Sequence, residues 1–339
     1  MAENILTVKN LTVLFENKKK NKKQNPCVTA VDQVCLSVKR KEIFGIVGES
    51  GCGKTTLSRG ILGLIKNVRG QVLLDGENIR NPDRRKRRAL TGKIQMIFQN
   101  PLASFHPRYT IRKSLYEVGR VHEIPKQEVQ KKLDDLLKYT GLADSLLNHY
   151  PGQLSGGQLQ RLAICRALIL EPDVLVADEA VSALDISIQA HILNLLLYLR
   201  EKLGITIVFI SHDLNVVEHI CDTVAVMYLG TIVEQGDKVE LFGNTKHPYT
   251  KLLISSKTRE TPDAKKSPVF GKADGEFEDV PNIFEIPVGC KFAARCPQFV
   301  KDVCDVKEPK LKKTGKNHYA ACHFVTEDQN DYGIYMENI

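Results

Sequence analysis

The chain has 339 residues, of which 42% are hydrophobic and 26% charged, and its formal net charge is +8. This length suits one large domain with a smaller one, and this composition excludes a disordered chain and a body embedded in a membrane. No apolar run reaches the roughly 20 residues of a membrane span, and the first residues lack a secretory pattern, so we expect another chain to cross any membrane involved.

The predicted elements alternate between strands and helices. Strand patterns lie at 5–15, 28–38, 42–47, 71–74, 94–98, 174–177, 205–210 and 224–228; helical patterns begin near Gly53 and lie at 111–120, 126–139, 156–170, 187–202 and 213–219. This alternation predicts a mainly parallel sheet with helices on its faces. From about Ser256 turn-forming and charged residues replace the apolar pattern, so we place a domain boundary between 1–255 and a C-terminal extension, 256–339.

Two basic runs, at 18–23 and 84–88, contribute visibly to the positive charge. Neither contains interleaved aromatic residues that could stack on bases, so we expect no nucleic-acid partner. We interpret both as solvated loops, with contact to anionic lipid headgroups as the alternative.

A glycine-rich loop connects the strand at 42–47 to the first helix. This phosphate loop consists of Gly48, Glu49, Ser50, Gly51, Cys52, Gly53, Lys54 and Thr55, and Thr56 follows it. Its spacing is typical of loops whose backbone N–H groups surround phosphates, with Lys54 reaching the outer phosphates and the Thr55 hydroxyl binding Mg²⁺. An ordinary glycine-rich turn is the alternative, but the flanking strand and helix favour phosphate binding.

Two carboxylates end the apolar strand at 174–177. We expect Asp178 to hold Mg²⁺, directly or through water, and Glu179 to orient and polarise the attacking water. A strand that merely ends in solvent-facing acids is the alternative. The phosphate loop upstream favours the catalytic interpretation.

A third motif begins the helix predicted at 156–170 and consists of Leu154, Ser155, Gly156, Gly157 and Gln158. Alone it predicts a helix cap with a glycine entry, but between the other two motifs it offers a second set of backbone donors to a γ-phosphate. With this pentapeptide the chain resembles the ABC ATPases over about its first 255 residues. The resemblance implies an α/β P-loop NTPase of ABC type, with a mainly parallel sheet core, an antiparallel β subdomain, a helical signature subdomain at about 100–170 and a small irregular cysteine-containing C-terminal domain.

The resemblance implies roles for further residues. Gln99 matches the glutamine that senses the γ-phosphate and Mg²⁺, and His212 the switch histidine; a buried amide and a satisfied polar residue are their alternatives. Asp185 ends a segment that matches the loop crossing the dimer interface. Phe15 is the candidate for stacking on adenine, with core packing as the alternative. Ala180 stands where close relatives usually have proline, but no catalytic position is replaced, so the resemblance implies an active ATPase with Lys54, Gln99, Glu179 and His212 as catalytic residues.

In this family ATP is held between two subunits. The resemblance therefore implies a second ABC ATPase subunit, usually a paralogue, together with two transmembrane permease subunits and an extracellular solute-binding protein. It also implies a peripheral position on the cytoplasmic face of the cell membrane. A non-transport ABC ATPase and a module that binds ATP without cleaving it are the alternatives. The former generally has two cassettes or large insertions, and the intact Glu179 and His212 oppose the latter.

Segments 98–108 and 247–250 and the cysteine-bearing tail resemble the oligopeptide, dipeptide and nickel importer ATPases, although Phe105-His106 stands where relatives usually have Leu-Asn. We expect peptide import, with nickel chelates or other small solutes as alternatives.

Four of the nine cysteines lie in the tail: Cys290, Cys296, Cys304 and Cys322. They lack the close pairs of structural zinc sites, and a proline follows one of them, so we expect a [4Fe–4S] cluster. Zinc and reduced free thiols are the alternatives.

Overall fold

The computed structural model describes residues 3–16, 27–80, 82–182, 184–257 and 287–326. The chain divides into two compact units. The first consists of Met1–Leu6, Ser37–Ile43 and Leu73–Ile210, and the second of Thr7–Leu36, Phe44–Val72 and Ser211–Ile339.

The helices and strands that the sequence predicts are all present, and their ends differ from the predicted ones by a few residues. The strands are β1 (Asn4–Glu16), β2 (Cys27–Lys39), β3 (Ile43–Val47), β4 (Val68–Leu74), β5 (Glu77–Asn78), β6 (Ile94–Ile97), β7 (Val174–Asp178), β8 (Thr206–Ser211), β9 (Thr223–Tyr228), β10 (Thr231–Asp237), β11 (Lys312–Gly315) and β12 (His318–Ala320). The helices are α1 (Lys54–Ile61), α2 (Arg84–Lys93), α3 (Ile111–Val121), α4 (Lys126–Thr140), α5 (Gly156–Leu168), α6 (Ile186–Leu203), α7 (Leu214–Ile220), α8 (Lys238–Gly243) and α9 (Pro248–Lys257). No helix within the described ranges combines the length and apolarity needed to cross a membrane.

In the first unit, parallel strands lie in the order β6-β7-β8. Every residue of the central strand β7 is buried, and Val174 pairs with Ile94 on one side and Thr206 on the other. Strands covered on both faces are apolar throughout, which is why β7 has no alternating pattern. The carboxyl end of β7 therefore presents Asp178 and Glu179 from a rigid support.

Helices α3, α4 and α5 pack against one another in the same unit. The buried face of α4 consists of Val129, Leu133, Leu136, Leu137 and Thr140, the spacing of an amphipathic helix. Gly141 ends α4 in the left-handed conformation, with φ of 65°. This packing supports α5, whose first residues form the third motif.

The second unit contains strands in the order β11-β12-β10-β9-β3. Strands β3 and β9 are parallel, whereas β9, β10, β12 and β11 pair antiparallel in turn. Strands β2, β1 and β4 lie side by side in another sheet. The mixture of parallel and antiparallel pairing confirms the predicted fold class.

The described part of the C-terminal extension, 287–326, contains a β-hairpin that continues the sheet of the second unit. Strand β12 pairs with β10, Glu234 lying opposite Ala320. His318, fully buried, contacts the carboxylate of the equally buried Glu234 with 2.8 Å between Nε2 and Oε1. The extension is thus built onto the sheet by backbone pairing and by one buried polar pair.

The basic run at 84–88 begins helix α2 rather than forming a loop. The side chain of Asp83 accepts a hydrogen bond of 2.8 Å from the Lys86 N–H, and this N-cap stabilises a first turn that contains no acidic residue. The solvated-loop interpretation is therefore wrong for this run. The run at 18–23 lies outside the described residues.

Candidate active site

The phosphate loop leaves β3 and enters α1 in the second unit. Gly53 has φ of 105°, and a Cβ atom added there would lie 2.4 Å from the carbonyl oxygen of Ala30. At Gly48 an added Cβ would lie 2.2 Å from the carbonyl oxygen of Met227. Only glycine fits these two positions, because any side chain would collide with backbone atoms. The loop therefore keeps its backbone close to its neighbours, while Ser50 and Gly51 are exposed.

Lys54 is buried within the loop, with 4% of its surface exposed. Its Nζ donates hydrogen bonds of 2.8 Å to the Gly48 carbonyl and 3.0 Å to the Glu49 carbonyl. Burial raises the pKa of the nearby Cys52 thiol, and the charge of Lys54 partly opposes that rise. The lysine thus places a positive charge against loop carbonyls, the position from which it can reach phosphate oxygens.

Gln99 and Glu179 lie together in the first unit. The Gln99 Nε2 donates a hydrogen bond of 2.7 Å to Glu179 Oε2. Gln99 is exposed, so it is not a buried structural amide. Asp178, beside Glu179, is 2% exposed at the end of β7.

The backbone of Glu179 adopts the left-handed conformation, with φ of 47°. Its N–H donates a hydrogen bond of 3.0 Å to the Ile210 carbonyl, and its own carbonyl accepts one of 3.0 Å from the Ser182 hydroxyl. A conformation this uncommon for a non-glycine residue costs on the order of 1–3 kcal/mol and is often found at functional positions. These bonds hold the carboxylate in a direction that an extended strand would not give.

The third motif starts α5 with a capping box. The Ser155 hydroxyl accepts a hydrogen bond of 3.3 Å from the Gln158 N–H, and the Ser155 N–H donates one of 3.0 Å to Gln158 Oε1. Ser155 and Gly156 are exposed, whereas Gly157 is buried. The helix-cap interpretation therefore describes the local structure, and it leaves the exposed Ser155-Gly156 turn at the surface.

The remaining predicted site residues lie at the ends of elements. His212 is exposed directly after β8, and Asp185 is exposed at the N-cap of α6. Thr55 and Thr56 are half-buried in the first turn of α1. Phe15 has 43% of its surface exposed, so it is not a core residue.

The predicted residues thus form two groups. The second unit holds the phosphate loop with Lys54, Thr55, Thr56, Phe15 and His212. The first unit holds Gln99, Asp178, Glu179, Asp185 and the Ser155–Gln158 turn.

Two residues at the phosphate loop were missed as site residues by the sequence analysis. The Tyr249 hydroxyl accepts a hydrogen bond of 3.0 Å from the Glu49 N–H. The Arg295 guanidinium donates to both Glu49 carboxylate oxygens, at 2.8 and 2.9 Å, and these bonds raise the pKa of Arg295 further above its ordinary value. Both residues lie in segments that support only the resemblance to the peptide and nickel importer ATPases. No pattern in these segments indicates a contact with the phosphate loop.

The four tail cysteines are electrostatic neighbours. All nine cysteines of the chain are free thiols, and the Cys290 N–H donates a hydrogen bond of 2.7 Å to the Cys304 carbonyl. The pKa of Cys290 is raised to about 11, mainly by burial and to a smaller extent by the charges of Cys296, Cys304 and Cys322. Within the described ranges, however, no group of three or more histidine, cysteine, aspartate or glutamate side chains is arranged to hold a metal ion.

Comparison with known proteins identifies two matching families. The family described as "ABC transporter" matches residues 31–182, and "Oligopeptide/dipeptide transporter, C-terminal region" matches residues 233–304. The chain is 44% identical over 303 residues to the oligopeptide transport ATP-binding protein AppF of Bacillus subtilis. This match covers 88% of this chain and 90% of AppF. It is 45% identical over 270 residues to the oligopeptide transport ATP-binding protein OppF of Escherichia coli K12. This match covers 79% of this chain and 80% of OppF.

Solved structures share the fold. CbiO1 of Clostridium perfringens, part of the ABC transporter complex cbiONQ, superimposes with a TM-score of 0.61 and 30% identity over 71% of this chain and 92% of its own. The dimeric post-hydrolysis structure of the ATP-binding cassette MJ0796, bound to ADP and Pi, superimposes with a TM-score of 0.60 and 29% sequence identity. This match covers 69% of this chain and 98% of MJ0796.

Proposed function

Because this chain belongs to the ATP-binding subunits of ABC transporters, we propose that it hydrolyses ATP to power the import of peptides through membrane-spanning partners. The observation that carries the substrate class is the match of residues 233–304 to the oligopeptide/dipeptide transporter C-terminal region. Relatives at 44% and 45% identity are oligopeptide transport ATP-binding proteins by name. Nickel chelates or other small solutes are the alternative cargo.

The phosphate loop binds the triphosphate of ATP in this proposal. Backbone N–H groups of the loop and the start of α1 donate to phosphate oxygens, and Lys54 exchanges its bonds to the Gly48 and Glu49 carbonyls for the outer phosphates. Phe15, exposed near the end of β1, stacks on the adenine.

Three oxygen-bearing side chains are assigned to Mg²⁺: Thr55, Gln99 and Asp178. The donor set fits, because a hydroxyl, an amide oxygen and a carboxylate are the hard ligands that this ion prefers. These residues would hold Mg²⁺, which would supply positive charge that offsets the negative charge of the phosphates. Asp178 is buried and Gln99 donates its amide hydrogen to Glu179, so the two assigned ligands of the first unit adjoin the proposed base.

Glu179 positions the attacking water and accepts its proton. Its left-handed backbone and its bond from Gln99 hold the carboxylate in one orientation, which is the requirement for a general base. His212 contacts the γ-phosphate and stabilises the geometry of attack.

ATP is sandwiched between two such subunits in this proposal. The exposed Ser155-Gly156 turn of one subunit, with Gly157 and Gln158 behind it, supplies donors to the γ-phosphate bound by its partner, and Asp185 lies at the shared interface. ATP then favours the closed pair over the open pair, and hydrolysis removes that preference. We propose a paralogous ATPase subunit as partner, two permease subunits, an extracellular binding protein and a peripheral position on the cytoplasmic face of the cell membrane.

Reconstitution tests the proposed cargo. The chain is co-purified with its permeases and partner ATPase, placed in liposomes, and supplied with the binding protein loaded with peptide or with a nickel chelate. We expect peptide to stimulate ATP turnover and to accumulate in the lumen, and the matched complex with Glu179→Gln to do neither. Stimulation by the chelate alone would contradict peptide import.

We further propose that Cys290, Cys296, Cys304 and Cys322 hold a [4Fe–4S] cluster. Four cysteine thiols are the donor set that such a cluster uses, and the charges of Cys296, Cys304 and Cys322 act on Cys290, although the described arrangement does not itself form a metal site. Anaerobic purification tests this: the proposal expects four iron atoms per chain and broad visible absorbance, both lost in Cys296→Ser. Iron-free protein with stoichiometric zinc would contradict it.

A further inference from the structure

Glu49 of the phosphate loop is held through three different groups. Its carboxylate accepts two hydrogen bonds from Arg295, its N–H donates to the Tyr249 hydroxyl, and its carbonyl accepts from Lys54. Two of these three partners lie outside the sequence motifs of the nucleotide site. Because its N–H, its carbonyl and its side chain all form hydrogen bonds, the backbone orientation of Glu49 is fixed. The position of the Glu49 carbonyl, which accepts from Lys54, is fixed with it.

The Arg295–Glu49 pair is shielded from solvent. The Arg295 side chain is 8% exposed and that of Glu49 is 24% exposed. A bidentate pair of this kind is directional as well as strong, because the planar guanidinium matches both carboxylate oxygens. The pair therefore constrains where the loop lies as well as how firmly it is attached.

An aromatic cluster of Tyr228, Tyr249 and Phe292 supports Arg295. The Tyr228 and Tyr249 ring centroids lie 4.5 Å apart, and Phe292 lies 5.3 and 5.4 Å from them. The Arg295 guanidinium carbon lies 5.9 Å from the centroids of both Tyr228 and Phe292. All three rings are almost fully buried. The Arg295 guanidinium and the Tyr249 hydroxyl, which both contact Glu49, are therefore supported by the same closely packed cluster.

A second anchor from the extension, Lys291, is connected to the loop indirectly. Lys291, whose side chain is 5% exposed, places Nζ 3.0 Å from Asp32 Oδ2 and 3.6 Å from Glu308 Oε1. The Asp32 N–H donates to the Gly230 carbonyl, and the Gly230 N–H donates to the Cys52 carbonyl, both at 2.9 Å. The extension is thus connected to the loop at Glu49 directly and at Cys52 through two backbone bonds.

We propose that Arg295 is a positioning residue for the phosphate loop, so that the C-terminal extension sets how tightly the chain binds MgATP. The proposal rests on the proposed ATPase function and adds to it a residue outside the family's nucleotide motifs. A loop whose shape is fixed before the nucleotide arrives loses less conformational freedom on binding, and its donors already face the phosphates. Without Arg295, Glu49 becomes a partly buried carboxylate with no paired charge, and the loop must be ordered by the nucleotide itself.

The test measures the dissociation constant for MgATP in the 339-residue chain, and KM and kcat in the reconstituted transporter. The variants are Arg295→Gln, Arg295→Lys, Glu49→Gln and the double variant Arg295→Gln with Glu49→Gln. Arg112→Gln is the matched control, because Arg112 pairs with Asp144 at 2.8 Å within the first unit and has no role at the nucleotide. Thermal unfolding of each variant separates nucleotide binding from stability.

We expect Arg295→Gln to raise the dissociation constant and KM about tenfold, since a hydrogen-bonded charge pair carries that order of free energy, while kcat stays within about twofold. Arg295→Lys keeps the charge without the fork, so its effect is intermediate. The double variant is no weaker than either single variant, because both remove one interaction.

Wild-type affinity in Arg295→Gln, or additive losses in the double variant, would overturn the positioning role, even if the unfolding temperature fell. Should Arg295→Gln fail to fold, Arg295→Lys and Glu49→Gln decide the question by the same affinities. Failure of the wild-type chain to bind MgATP would instead reject the proposed function. Normal binding and turnover by the wild type and by every Arg295 and Glu49 variant would reject this inference alone.

Discussion

Gln99 and Glu179 are 80 positions apart in the chain and are joined by a hydrogen bond of 2.7 Å from an amide nitrogen to a carboxylate oxygen. This bond connects the residue proposed to sense Mg²⁺ with the residue proposed to accept the proton from water. A movement of Gln99 toward the metal would change the orientation of Glu179. In the proposed mechanism, this contact would couple the base to metal binding.

Glu179→Gln should abolish hydrolysis and preserve nucleotide binding. The amide keeps the shape of the side chain but cannot accept a proton, so we expect turnover to fall by about 10²–10⁴-fold. ATP affinity should stay within about twofold of wild type, and the variant should accumulate as a dimer in ATP by size-exclusion chromatography. Glu171→Gln is the matched control, because Glu171 has a similar φ of 50° but is exposed. Wild-type turnover in Glu179→Gln would refute the assignment.

Gly157→Ala should destabilise the chain, whereas Gly156→Ala should not. A Cβ atom added to Gly157 would lie 2.8 Å from Ile188 Cγ2, but one added to Gly156 would meet only Leu184 Cδ2, at 3.6 Å. Overpacking of this kind costs about 1–3 kcal/mol, so urea unfolding should show that loss for Gly157→Ala. The neighbouring variant should remain within about 0.5 kcal/mol of wild type. Equal stability of the two variants would contradict the packing argument.

His318→Ala should loosen the attachment of the extension. The His318 ring lies 2.8 Å from Glu234 and both residues are fully buried, so truncation removes one partner of a buried carboxylate and opens a cavity. We expect a loss of about 2–5 kcal/mol in the free energy of unfolding. His219→Ala, an exposed histidine on α7, is the control and should change stability little. A loss below about 0.5 kcal/mol for His318→Ala would show that the pair contributes nothing.

Stability should fall in mild acid because of His247. Burial lowers the pKa of His247 to about 4, and its Nδ1 accepts a hydrogen bond of 3.1 Å from the Tyr249 N–H, which requires the unprotonated atom. The unfolded chain binds this proton near its ordinary value of about 6.5, so stability present above that pH is lost as pH falls toward 4.

The size of this effect between pH 7 and pH 5 is about 2 kcal/mol. Urea unfolding of wild type and His247→Asn at both pH values measures it, since the asparagine oxygen can still accept from Tyr249 but does not titrate. The variant should lose about 2 kcal/mol less than wild type over this interval. Parallel pH profiles would show that His247 is not the group responsible.

Much of the nucleotide site could be predicted because its determinants are local. The fixed spacing of Gly48, Gly53 and Lys54 encodes a strand, a turn and a helix start, and the structure shows why two of these positions exclude a side chain. Ser155 and Gln158 likewise encode a capping box within four residues. Such features depend on neighbouring positions, so their pattern is visible in the sequence.

Other features depend on contacts between distant positions. The Arg295–Glu49 pair joins residues 246 positions apart, and no periodic pattern in the sequence predicts it. Strands β11 and β12 have four and three residues and little apolar alternation, so their sequences alone do not predict strands. They form because β12 pairs with the edge of β10. Helix α2 was missed for a different reason, because its consecutive basic residues hide the N-cap supplied by Asp83.

The pairing of β12 with β10 also has a consequence for synthesis of the protein on the ribosome. Glu234 emerges 84 residues before His318, so the nascent chain contains an unpaired Glu234 carboxylate and an uncovered edge of β10 until His318 has been synthesised. Uncovered edges recruit other strands, so this interval exposes the growing polypeptide to aggregation. Premature termination within the extension would leave that edge open for good, and the shortened product would be a substrate for chaperones and proteases.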